Sequence, residues 1–558
     1  MKRSLALLLL LAGCGTSRKD EMNASADLRT LCDDCWETAL RENPTWATYL
    51  GDFRYNDRLP DLSDAGRARR LASAKGFLER LGKIDLAALP EGERVTADIL
   101  RLQLEQSVEE HRHKFWQWAV DQLSGPQADF PQIMNYHPLD DEKGLLARFR
   151  AFPAFIDQYL DNLRSGAREG RTAMRGAVER VTAQLRSLLE TPPEASPFAA
   201  RPAFVPAVRE SVYPAYRKML EYLEGEYLPG SRGRDVGIWA LPGGAEAYRF
   251  LVRQHTSTDL TPEEIHRTGL EELRKIRLEM DRIAGGDLRA FTERLKKDPR
   301  SFYSTGPEIL EGAGRQLDRA AAKLPQYFRR LPRTGCEVKA IEAYRAKDAP
   351  GAYYYPPDEK MTRKGIFYAN THAPETRPRF TMPALAFHEA VPGHHLQIAL
   401  AMELEDLPKF RRHAGFTAFV EGWALYAERL SDEMGLYEDD LARFGMLTYQ
   451  AWRACRLVVD TGIHHLRWTR QQAIDFFLEN VALSEGEVLN EIDRYIIWPG
   501  QALAYMVGQR EIVALRDGAR RALGPRFDLA DFHDVVLRNG AVPLRTLRRL
   551  VGEWTASR

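Results

Sequence analysis

The sequence predicts a mainly α-helical protein with one small β-sheet. Apolar residues recur at helical spacing along most of the 558 residues, and proline and glycine separate the helical segments. Two stretches, 351–357 and 365–370, are instead rich in aromatic residues and bounded by turn residues, as short strands are. Lys plus Arg and Asp plus Glu number 79 each, so the net charge gives no indication of a nucleic-acid partner.

The first residues are typical of a bacterial lipoprotein signal. Lys2 and Arg3 precede an apolar run over 5–12 that is too short to span a bilayer. Small residues end this run directly before Cys14, the position of the lipid-modified cysteine in such signals. We therefore expect a lipid anchor at Cys14; a plain signal peptide with a cysteine there by chance is the alternative.

These features divide the N-terminus into a signal peptide over 1–13 and a polar tether over 14–24. The mature protein is expected to be an exported lipoprotein that faces the periplasm or lies at the cell surface. Gly15 is not the aspartate that marks inner-membrane retention in some bacteria, which favours the outer membrane. Cys32 and Cys35 form a C-x-x-C pair, and an oxidising compartment would allow a local disulfide between them.

After the tether, the amphipathic pattern predicts a succession of helices. Asn43-Pro44 interrupts the first of them, and Thr261-Pro262-Glu263-Glu264 is a capping box that opens a helix to about Ile283. Thr381 and Pro383 begin a further helix after the predicted strands. The N-terminal helices are expected over 28–40, 65–81, 93–118, 145–163, 172–189 and 207–223.

The strongest functional motif lies in the helix after the strands, over 386–397. It contains three histidines, a glutamate and a glutamine in an otherwise apolar segment. Burying so many polar groups is costly unless they are paired or bind a metal. A zinc peptidase helix usually carries H-E-x-x-H, in which both histidines lie on one face and the glutamate reaches the water. The segment therefore predicts a zinc site that includes His388 and Glu389.

The second histidine of this motif has unusual spacing. His394 follows His388 by six residues, ~240° around an ideal helix, and His395 follows by seven, ~10.5 Å along the axis. A bulge at Pro392-Gly393 would absorb the extra residues, because proline deletes a helical N–H and glycine tolerates unusual backbone angles. We therefore favour His394 as the ligand, with His395 as the alternative ligand or as a residue that supports the ligands.

A third ligand is expected on the apolar helix around 419–428. Glu421 and Glu428 lie seven residues apart and hence on one face of this helix. The neighbours of Glu421 on that face are small or apolar and carry no positive charge, so its carboxylate would be costly to bury without a cation. Glu428 is a candidate hydrogen-bond acceptor for a metal-binding histidine.

The motif H-E-A-x-P-G-H-H-x-Q, followed by E-G-W-A-L-Y-A-E, resembles the bacterial proteins grouped as domain of unknown function 885. Further matching segments are 47–52, 456–464 and 494–505, so the resemblance covers nearly the whole mature chain. That family is similar to gluzincin metallopeptidases with deep helical channels, such as angiotensin-converting enzyme and the thermostable carboxypeptidases. In dipeptidyl peptidase III an insertion with glycine also precedes the second histidine.

The resemblance implies a large two-lobed helical gluzincin-like body, with the small sheet beside the active-site helix. We expect an N-terminal helical lobe over 25–335 and a C-terminal catalytic lobe over 336–558, packed as one integrated domain. The resemblance also implies one zinc ion per chain, held by His388, His394 and Glu421.

Carried over in the same way, Glu389 is the general base that moves a proton from water to the leaving amine while zinc polarises the scissile carbonyl. The oxyanion needs a further donor. We favour His464, which follows Asp460 by one helical turn, and Tyr505, because peptidases of this architecture often pair a His and a Tyr. His465 and Tyr495 are the other donor candidates. Substrate-binding candidates are Asn370 at the end of the second strand, Tyr495, Gln501, and Arg510 or Arg494 for a substrate carboxylate.

The leading functional hypothesis is a zinc-dependent peptidase that hydrolyses short peptides in the periplasm or at the cell surface. A metal amidohydrolase that acts on peptidoglycan or another non-peptide amide is the enzymatic alternative. A catalytically silent binding lipoprotein is the alternative from another class, although retention of Glu389 argues against it. A peptide substrate and the membrane are the expected partners, and the oligomeric state is left open.

Overall fold

The computed structural model describes residues 18–342, 346, 349–358, 361–481 and 483–558. The predicted signal peptide and Cys14 lie outside the described residues. Within that part of the chain the protein is mainly helical, as predicted, with a small sheet between 336 and 369. The first helix begins at Arg18, so the segment 18–24, which was expected to be a tether, is helical. None of the described helices is long and apolar enough to cross a membrane.

The helices before the sheet are amphipathic, and side-chain caps begin several of them. Ser63, Asp141 and Thr305 each accept a hydrogen bond from a backbone N–H in the first turn. In chain order the α-helices are α1 (Arg18–Glu42), α2 (Pro44–Tyr49), α3 (Asp64–Gly82), α4 (Glu91–His113), α5 (Pro126–Tyr136), α6 (Glu142–Arg168), α7 (Arg175–Glu190), α8 (Tyr213–Tyr222), α9 (Gly244–Thr256), α10 (Pro262–Ala284), α11 (Leu288–Lys297) and α12 (Gly306–Lys323).

The bounds predicted as 65–81 and 172–189 agree with α3 and α7 to within three residues, whereas α1 begins ten residues before the predicted 28 and α6 ends five residues after the predicted 163. Thr261 and Glu264 form both hydrogen bonds of the predicted capping box. The helix predicted over 93–118 ends earlier, because Lys114 takes a left-handed conformation with a φ of 53°. The helix predicted over 207–223 contains π-helical turns on both sides of α8, which the sequence pattern did not indicate.

After the sheet the chain is helical to its end. These helices are α13 (Met382–Glu389), α14 (His394–Met402), α15 (Lys409–Arg412), α16 (Thr417–Glu433), α17 (Asp440–His464), α18 (Arg470–Asn480), α19 (Glu485–Ile497), α20 (Ala504–Leu523), α21 (Leu529–Leu537) and α22 (Leu544–Ala556). Nearly every residue of α17 from Phe444 onward is buried, so this helix forms the centre of the C-terminal part.

The sheet contains the two predicted strands and one more. Strands β2 (Ala352–Tyr355) and β3 (Gly365–Ala369) pair antiparallel, and β1 (Cys336–Ala340) pairs parallel with β3, which is therefore central. The sequence prediction missed β1, which lacks the aromatic residues that identified the other two. Side chains of β3 pack against α12 and α13, so the sheet lies beside the helix that carries His388.

The hydrophobic core continues across the predicted boundary between the lobes. The largest buried cluster includes Leu28 and Val95 as well as Phe387, Trp423 and Trp554. A second cluster lies within residues 120–227, and a third joins the sheet to α12 and α13. The division at 335 and 336 stays a prediction, and the shared core ties the two parts together.

Helices α16 and α20 approach each other at two glycines. A Cβ on Gly422 would overlap the backbone of Gly508, and a Cβ on Gly508 would overlap the carbonyl oxygen of Ala418. Only glycine permits two helix backbones to lie this close. The contact sets the separation between α16, which carries Glu421, and α20, which carries Tyr505.

The C-x-x-C pair lies on α1. Cys32 is buried and Cys35 is half-buried, and both are free thiols. Burial raises the pKa of each thiol to about 12, so neither is a reactive thiolate at neutral pH. The local disulfide considered from the sequence is therefore not formed in this structure.

Candidate metal centre

The helix that carries the metal motif is interrupted. Helix α13 ends at Glu389 and α14 begins at His394, and Ala390 and Gly393 between them have non-helical ψ angles of −105° and −127°. A side chain on Gly393 would overlap the carbonyl oxygen of His388, so the turn requires glycine. The structure thus has a break of four residues where the sequence predicted a bulge within one helix.

This break brings His394 beside His388, and both face Glu421 on α16. The Nε2 atoms of His388 and His394 lie 3.5 and 3.4 Å from Glu421 Oε2. The two imidazole rings are 4.8 Å apart and nearly perpendicular, at 87°. The Trp423 indole N–H donates to the Pro392 carbonyl oxygen at 2.9 Å, which holds the break against α16.

The geometry of these three side chains fits a metal ion. Two donors bound to a tetrahedral zinc ion lie about 3.3–3.5 Å apart, since each is about 2.0–2.2 Å from the metal. The two measured distances to Glu421 Oε2 match this separation, and the three donor atoms lie within 4.8 Å of one another. Glu421 Oε2 is buried and has no hydrogen-bond partner among the described residues, so its lone pairs are available to a cation.

A buried hydrogen-bond chain orients His388. Its Nδ1–H donates to Glu428 Oε1 at 2.8 Å, which is the contact expected of Glu428 and which directs Nε2 to the other two donors. The second oxygen of Glu428 accepts from Gln450 at 3.2 Å, and Gln450 accepts from Gln509 at 2.9 Å. The two glutamines were not anticipated, although each is a polar residue in an apolar part of its helix.

The charges within the cluster are strongly coupled. Burial opposes protonation of His388, but Glu421 and Glu428 outweigh burial and raise the pKa of His388 to about 9. Burial likewise opposes ionisation of Glu421, yet His388 and His394 hold the pKa of its carboxyl well below the usual range. The site therefore favours an ionised carboxylate that faces positive charge, and a bound cation would take the same place.

Glu389 follows His388 at the end of α13. It is the last residue of α13 and is half-buried. Its charge contributes to the raised pKa of His388 and, after burial and Glu337, to the raised pKa of Cys336, which begins β1. The charge of Glu389 thus acts on both the His388 imidazole and the Cys336 thiol.

His395 points away from the cluster. Its Nε2–H donates to the Thr334 carbonyl oxygen at 3.0 Å, and its Nδ1 accepts from the Tyr354 hydroxyl at 2.9 Å. Burial lowers the pKa of His395 to about 4, so the ring is neutral. A Cβ on Gly365 would lie 2.5 Å from Nδ1, so β3 needs glycine at this contact. His395 joins α14 to the sheet, and His394 is the histidine that lies in the cluster with His388 and Glu421.

The sequence profile of the family described as "Bacterial protein of unknown function (DUF885)" matches residues 44–551. The chain belongs to this family. This finding agrees with the resemblance that the H-E-A-x-P-G-H-H motif carries.

Two solved structures resemble this DUF885 protein along nearly its whole length. A protein from Colwellia psychrerythraea, described as a "putative lipoprotein", is 30% identical and superposes with a TM-score of 0.89, over 96% of this chain and 100% of that chain. A protein from Shewanella oneidensis, described as a "putative lipoprotein of unknown function", is 20% identical with a TM-score of 0.74, over 94% and 99% of the two chains, and shows the shared fold. No curated protein matches the chain.

Tyr505 is the oxyanion candidate that lies beside the cluster in this DUF885 protein. Its ring stacks on the His388 ring with centroids 6.3 Å apart and planes 17° apart. Tyr505 is 8% exposed and lies near the start of α20, two residues after Leu503. Its phenol is therefore available to a group bound next to His388.

His464 is arranged differently, and the donor role expected of it is not supported. Its Nε2–H donates to the Tyr495 carbonyl oxygen at 2.9 Å, and its Nδ1 accepts from the Ile238 N–H at 3.1 Å. Burial lowers the pKa of His464 to about 3. Asp460 does not orient this ring either, because it accepts from the Tyr248 hydroxyl at 2.6 Å instead. Neither ring nitrogen remains for a substrate.

His465 is bound at the surface, and Asn370 has a structural role. His465 Nε2 lies 2.5 Å from a carboxylate oxygen of the exposed Glu263. Asn370 is 1% exposed, and its amide donates to the carbonyl oxygens of Ala346, Ala349 and Pro350. The amide thus stabilises the loop between β1 and β2 and has no free donor for a substrate, contrary to our expectation.

The remaining substrate-binding candidates have internal partners. The Tyr495 hydroxyl donates to Glu491 at 2.7 Å, and Gln501 accepts from Arg494 at 3.3 Å. Arg494 also pairs with Glu491 at 2.8 Å. Arg510 is 42% exposed, pairs with Glu272 and lines a cavity of about 760 Å³ whose lining includes none of the three metal-site residues. The structure does not bring Arg510 to the cluster.

The sequence interpretation missed Arg453 and Arg456, which lie on α17 around Tyr505. Their guanidinium carbons are 5.8 and 4.3 Å from the centre of the Tyr505 ring. A signal was present: these two arginines stand in a stretch of α17, 444–459, that contains no acidic residue. Arg453 therefore has no acidic residue at ion-pair spacing within its own helix, and Asp460, four residues after Arg456, accepts from the Tyr248 hydroxyl instead.

Proposed function

We propose that this protein is a zinc-dependent peptidase that hydrolyses short peptides, with His388, His394 and Glu421 as the zinc ligands. The observation that carries the proposal is the convergence of two imidazole nitrogens on one unpartnered carboxylate oxygen at 3.5 and 3.4 Å. Two histidines and a glutamate, with a position left for water or substrate, form a known class of catalytic zinc site.

The chain's own groups supply the remaining chemistry. Zn²⁺ bound here would lower the pKa of a water molecule and polarise the scissile carbonyl. Glu389 accepts the proton of the attacking water and passes it to the leaving amine. The Tyr505 phenol donates a hydrogen bond to the carbonyl oxygen as it gains negative charge, a role for which its place beside His388 is suited. Glu428 keeps His388 in the tautomer that binds metal through Nε2.

Metal analysis tests the ligand set. We expect about one zinc per chain in protein that begins after Cys14, because a catalytic zinc site of this type holds a single ion. His394→Ala should lose the zinc, and the matched variant His395→Ala should retain it. Iron in place of zinc would change the proposed metal. Absence of metal from the parent protein, even after reconstitution, would contradict the peptidase proposal.

Activity against a fluorogenic peptide library tests the chemistry. Glu389→Gln should retain zinc but lose roughly 10²–10⁴-fold in kcat/KM, because general-base catalysis contributes about that much. Glu405→Gln, at an exposed position after α14, is the control and should leave the rate unchanged. Cleavage of muropeptides but not of plain peptides would change the substrate class. Peptide binding without hydrolysis in the parent would instead indicate a binding lipoprotein.

We further propose that the protein is exported and anchored through a lipid on Cys14. The support is the N-terminal signal pattern, together with the description of the two similar proteins as putative lipoproteins. In a bacterial host the full chain should partition into detergent and incorporate labelled palmitate. Cys14→Ser should abolish both, and retention of the label in this variant would contradict the proposal. Fractionation of the two membranes then tests the expected preference for the outer membrane.

A further inference from the structure

Two buried arginines lie next to the candidate metal centre and have incomplete partners. Arg453 is 5% exposed and Arg456 is 3% exposed, and both flank Tyr505, whose ring stacks on His388. Arg453 Nε and Nη1 are buried and have no hydrogen-bond partner among the described residues. The same is true of Arg456 Nη1. Buried guanidinium N–H groups without acceptors are costly, and an anion would satisfy them.

The nearby acidic groups do not neutralise these arginines. Glu491 is shared, at 2.9 Å from Arg456 and 2.8 Å from Arg494, so one carboxylate faces two guanidinium groups. Glu428 is held by His388, and the Glu487 carboxylate caps its own helix through Ser484. Arg453 has no ion pair among the described residues and is surrounded by rings. The Arg453 guanidinium is therefore the cation of this group that no carboxylate of the described residues pairs with directly.

Aromatic rings around Arg453 stabilise its positive charge. Its guanidinium lies 4.8 Å from the Tyr449 ring and 4.3 Å from the Trp452 ring, with Tyr505 on a further side. These aromatic neighbours stabilise a cation, and by excluding water they make its attraction for an anion stronger. Arginine suits a planar carboxylate in particular, because its N–H groups match the carboxylate oxygens.

We propose that Arg453, with Arg456 beside it, binds the free C-terminal carboxylate of the peptide substrate, so that the enzyme removes residues from the carboxyl end. This inference rests on the proposed peptidase function. The centre of the Tyr505 ring lies 6.3 Å from the centre of the His388 ring and 4.3 Å from the guanidinium carbon of Arg456. Because one extended residue spans about 3.3–3.6 Å, the carboxylate lies roughly one to three residues beyond the scissile bond.

The reaction is a hydrolysis and needs no other reactant. One water is consumed: its oxygen forms the new carboxylate on the acyl side, and the C–N bond breaks. Glu389 delivers the proton to the nitrogen of the C-terminal product, which leaves with its own carboxylate still facing Arg453. Arg494 and Arg510, the arginines considered from the sequence, already pair with Glu491 and Glu272 and do not take this role.

Paired peptides test the proposal on the zinc-loaded protein. Matched peptides with a free C-terminal acid and with a C-terminal amide should differ by about 100-fold in kcat/KM in favour of the acid, as is typical for a buried charge pair. Arg453→Gln should abolish most of this preference by raising KM for the acid while leaving the amide nearly unchanged. Arg453→Lys should restore part of the preference, since it keeps the charge.

Controls separate this proposal from the loss of the fold or of the metal. Arg443→Gln, at an exposed position on the same helix, should keep the parental preference. Zinc content and the unfolding temperature identify an Arg453 variant that no longer folds, and Arg453→Lys then takes its place. Equal cleavage of acid and amide by the parent, or an unchanged preference in both Arg453 variants, would overturn the proposal.

A binding measurement distinguishes failure of this proposal from failure of the proposed peptidase function. Calorimetry on Glu389→Gln compares N-acetyl-trialanine as the free acid and as the amide. Tighter binding of the acid that depends on Arg453, combined with a zinc-loaded parent that hydrolyses no peptide, would retain the carboxylate site and reject the peptidase. Equal binding of the two compounds, or binding of neither, would reject the carboxylate site even if the parent cleaves peptides.

Discussion

Two buried clusters in the C-terminal part each contain a histidine and a carboxylate, yet their polar atoms are satisfied differently. In the first, His388 is bonded to Glu428 through Nδ1, while its Nε2 faces Glu421 Oε2, which has no hydrogen-bond partner among the described residues. His394 approaches the same oxygen. The three donor atoms of this cluster could hold a metal ion, as proposed above.

In the second cluster the polar atoms have partners within the protein. His464 bonds backbone groups of Ile238 and Tyr495 through its two nitrogens. Asp460, one turn earlier, accepts from the Tyr248 hydroxyl and from the Gly500 N–H, the latter at 3.1 Å. Residue types and helical spacing made this second cluster a functional candidate. The comparison teaches that the number of atoms without a partner distinguishes a binding site from a polar contact that stabilises the fold.

The largest effect is expected on zinc binding, from a substitution in the first cluster but not from one in the second. Glu421→Ala should weaken zinc binding by more than the roughly 10–100-fold that loss of an outer partner causes, because it removes a ligand itself. His464→Asn should leave zinc binding intact but lower the free energy of unfolding by about 1–3 kcal/mol, since a buried backbone group loses its partner. Competition with a chromophoric chelator and urea denaturation measure the two quantities. Equal loss of zinc in both variants would refute the distinction between the clusters.

A second effect concerns the proton on Asp460. Burial raises the pKa of its carboxyl to about 7, against hydrogen bonds from Tyr248 and Gly500. The folded state therefore holds this proton more tightly than the unfolded state, so its stabilising contribution is full below about pH 4 and is lost between about pH 4 and 7. Relative to Asp460→Asn, which does not titrate, the wild type should lose on the order of 4 kcal/mol across that window, at 1.36 kcal/mol per pKa unit.

Urea denaturation of metal-free protein at a series of pH values measures this difference between wild type and Asp460→Asn. A difference that is constant with pH would show that Asp460 ionises normally. A fall confined to the window between pH 4 and 7 would show that the second cluster is pH-sensitive without binding a metal.

A third, smaller effect sharpens the role of the outer contact in the first cluster. Glu428→Gln should lower zinc affinity by about 10–100-fold while the protein remains folded, because the amide no longer fixes the charge and tautomer of His388. Glu433→Gln, farther along α16 and paired with Arg516, is the control. Zinc titration of both variants gives the comparison. Identical zinc affinities of the two variants would show that the Glu428 carboxylate does not contribute to zinc binding.

The smallest effect concerns the histidine next to the ligand. Tyr354→Phe removes the hydroxyl that donates to His395 Nδ1 and should cost about 0.5–1.5 kcal/mol in the free energy of unfolding. Zinc content should stay at the parental level, because His395 is bonded to the sheet and not to the cluster. Denaturation together with elemental analysis measures both quantities. Loss of zinc in Tyr354→Phe would mean that His395 takes part in metal binding.

The fold was largely accessible from the sequence because its signals are local. Helical periodicity, the capping box at Thr261 and the aromatic strands β2 and β3 each depend on neighbouring residues. Strand β1 was missed because its partner β3 begins at Gly365, far along the chain from Cys336. Parallel pairing of that kind leaves little trace in a short strand of mixed polarity.

The candidate site was accessible only in part. The motif identified His388, His394, Glu421 and Glu428, since buried polar groups in apolar helices are conspicuous. His464 illustrates the limit: its spacing from an acid suggested a pair, but its ring bonds to distant backbone. The side chains around Tyr505 come from helices that approach only in the folded protein, so their proximity could not be inferred from spacing along one helix.

The contact between Gly422 and Gly508 limits how helices α16 and α20 can move against each other. Two helices that meet through side chains can slide by small rotamer changes, as in shear motions between domains. Backbone directly against backbone offers no such layer. The distance between α16, which carries Glu421, and α20, which carries Tyr505, is therefore fixed. For the proposed peptidase, a path for substrate would have to open through movement of other elements, while α16 and α20 keep their separation.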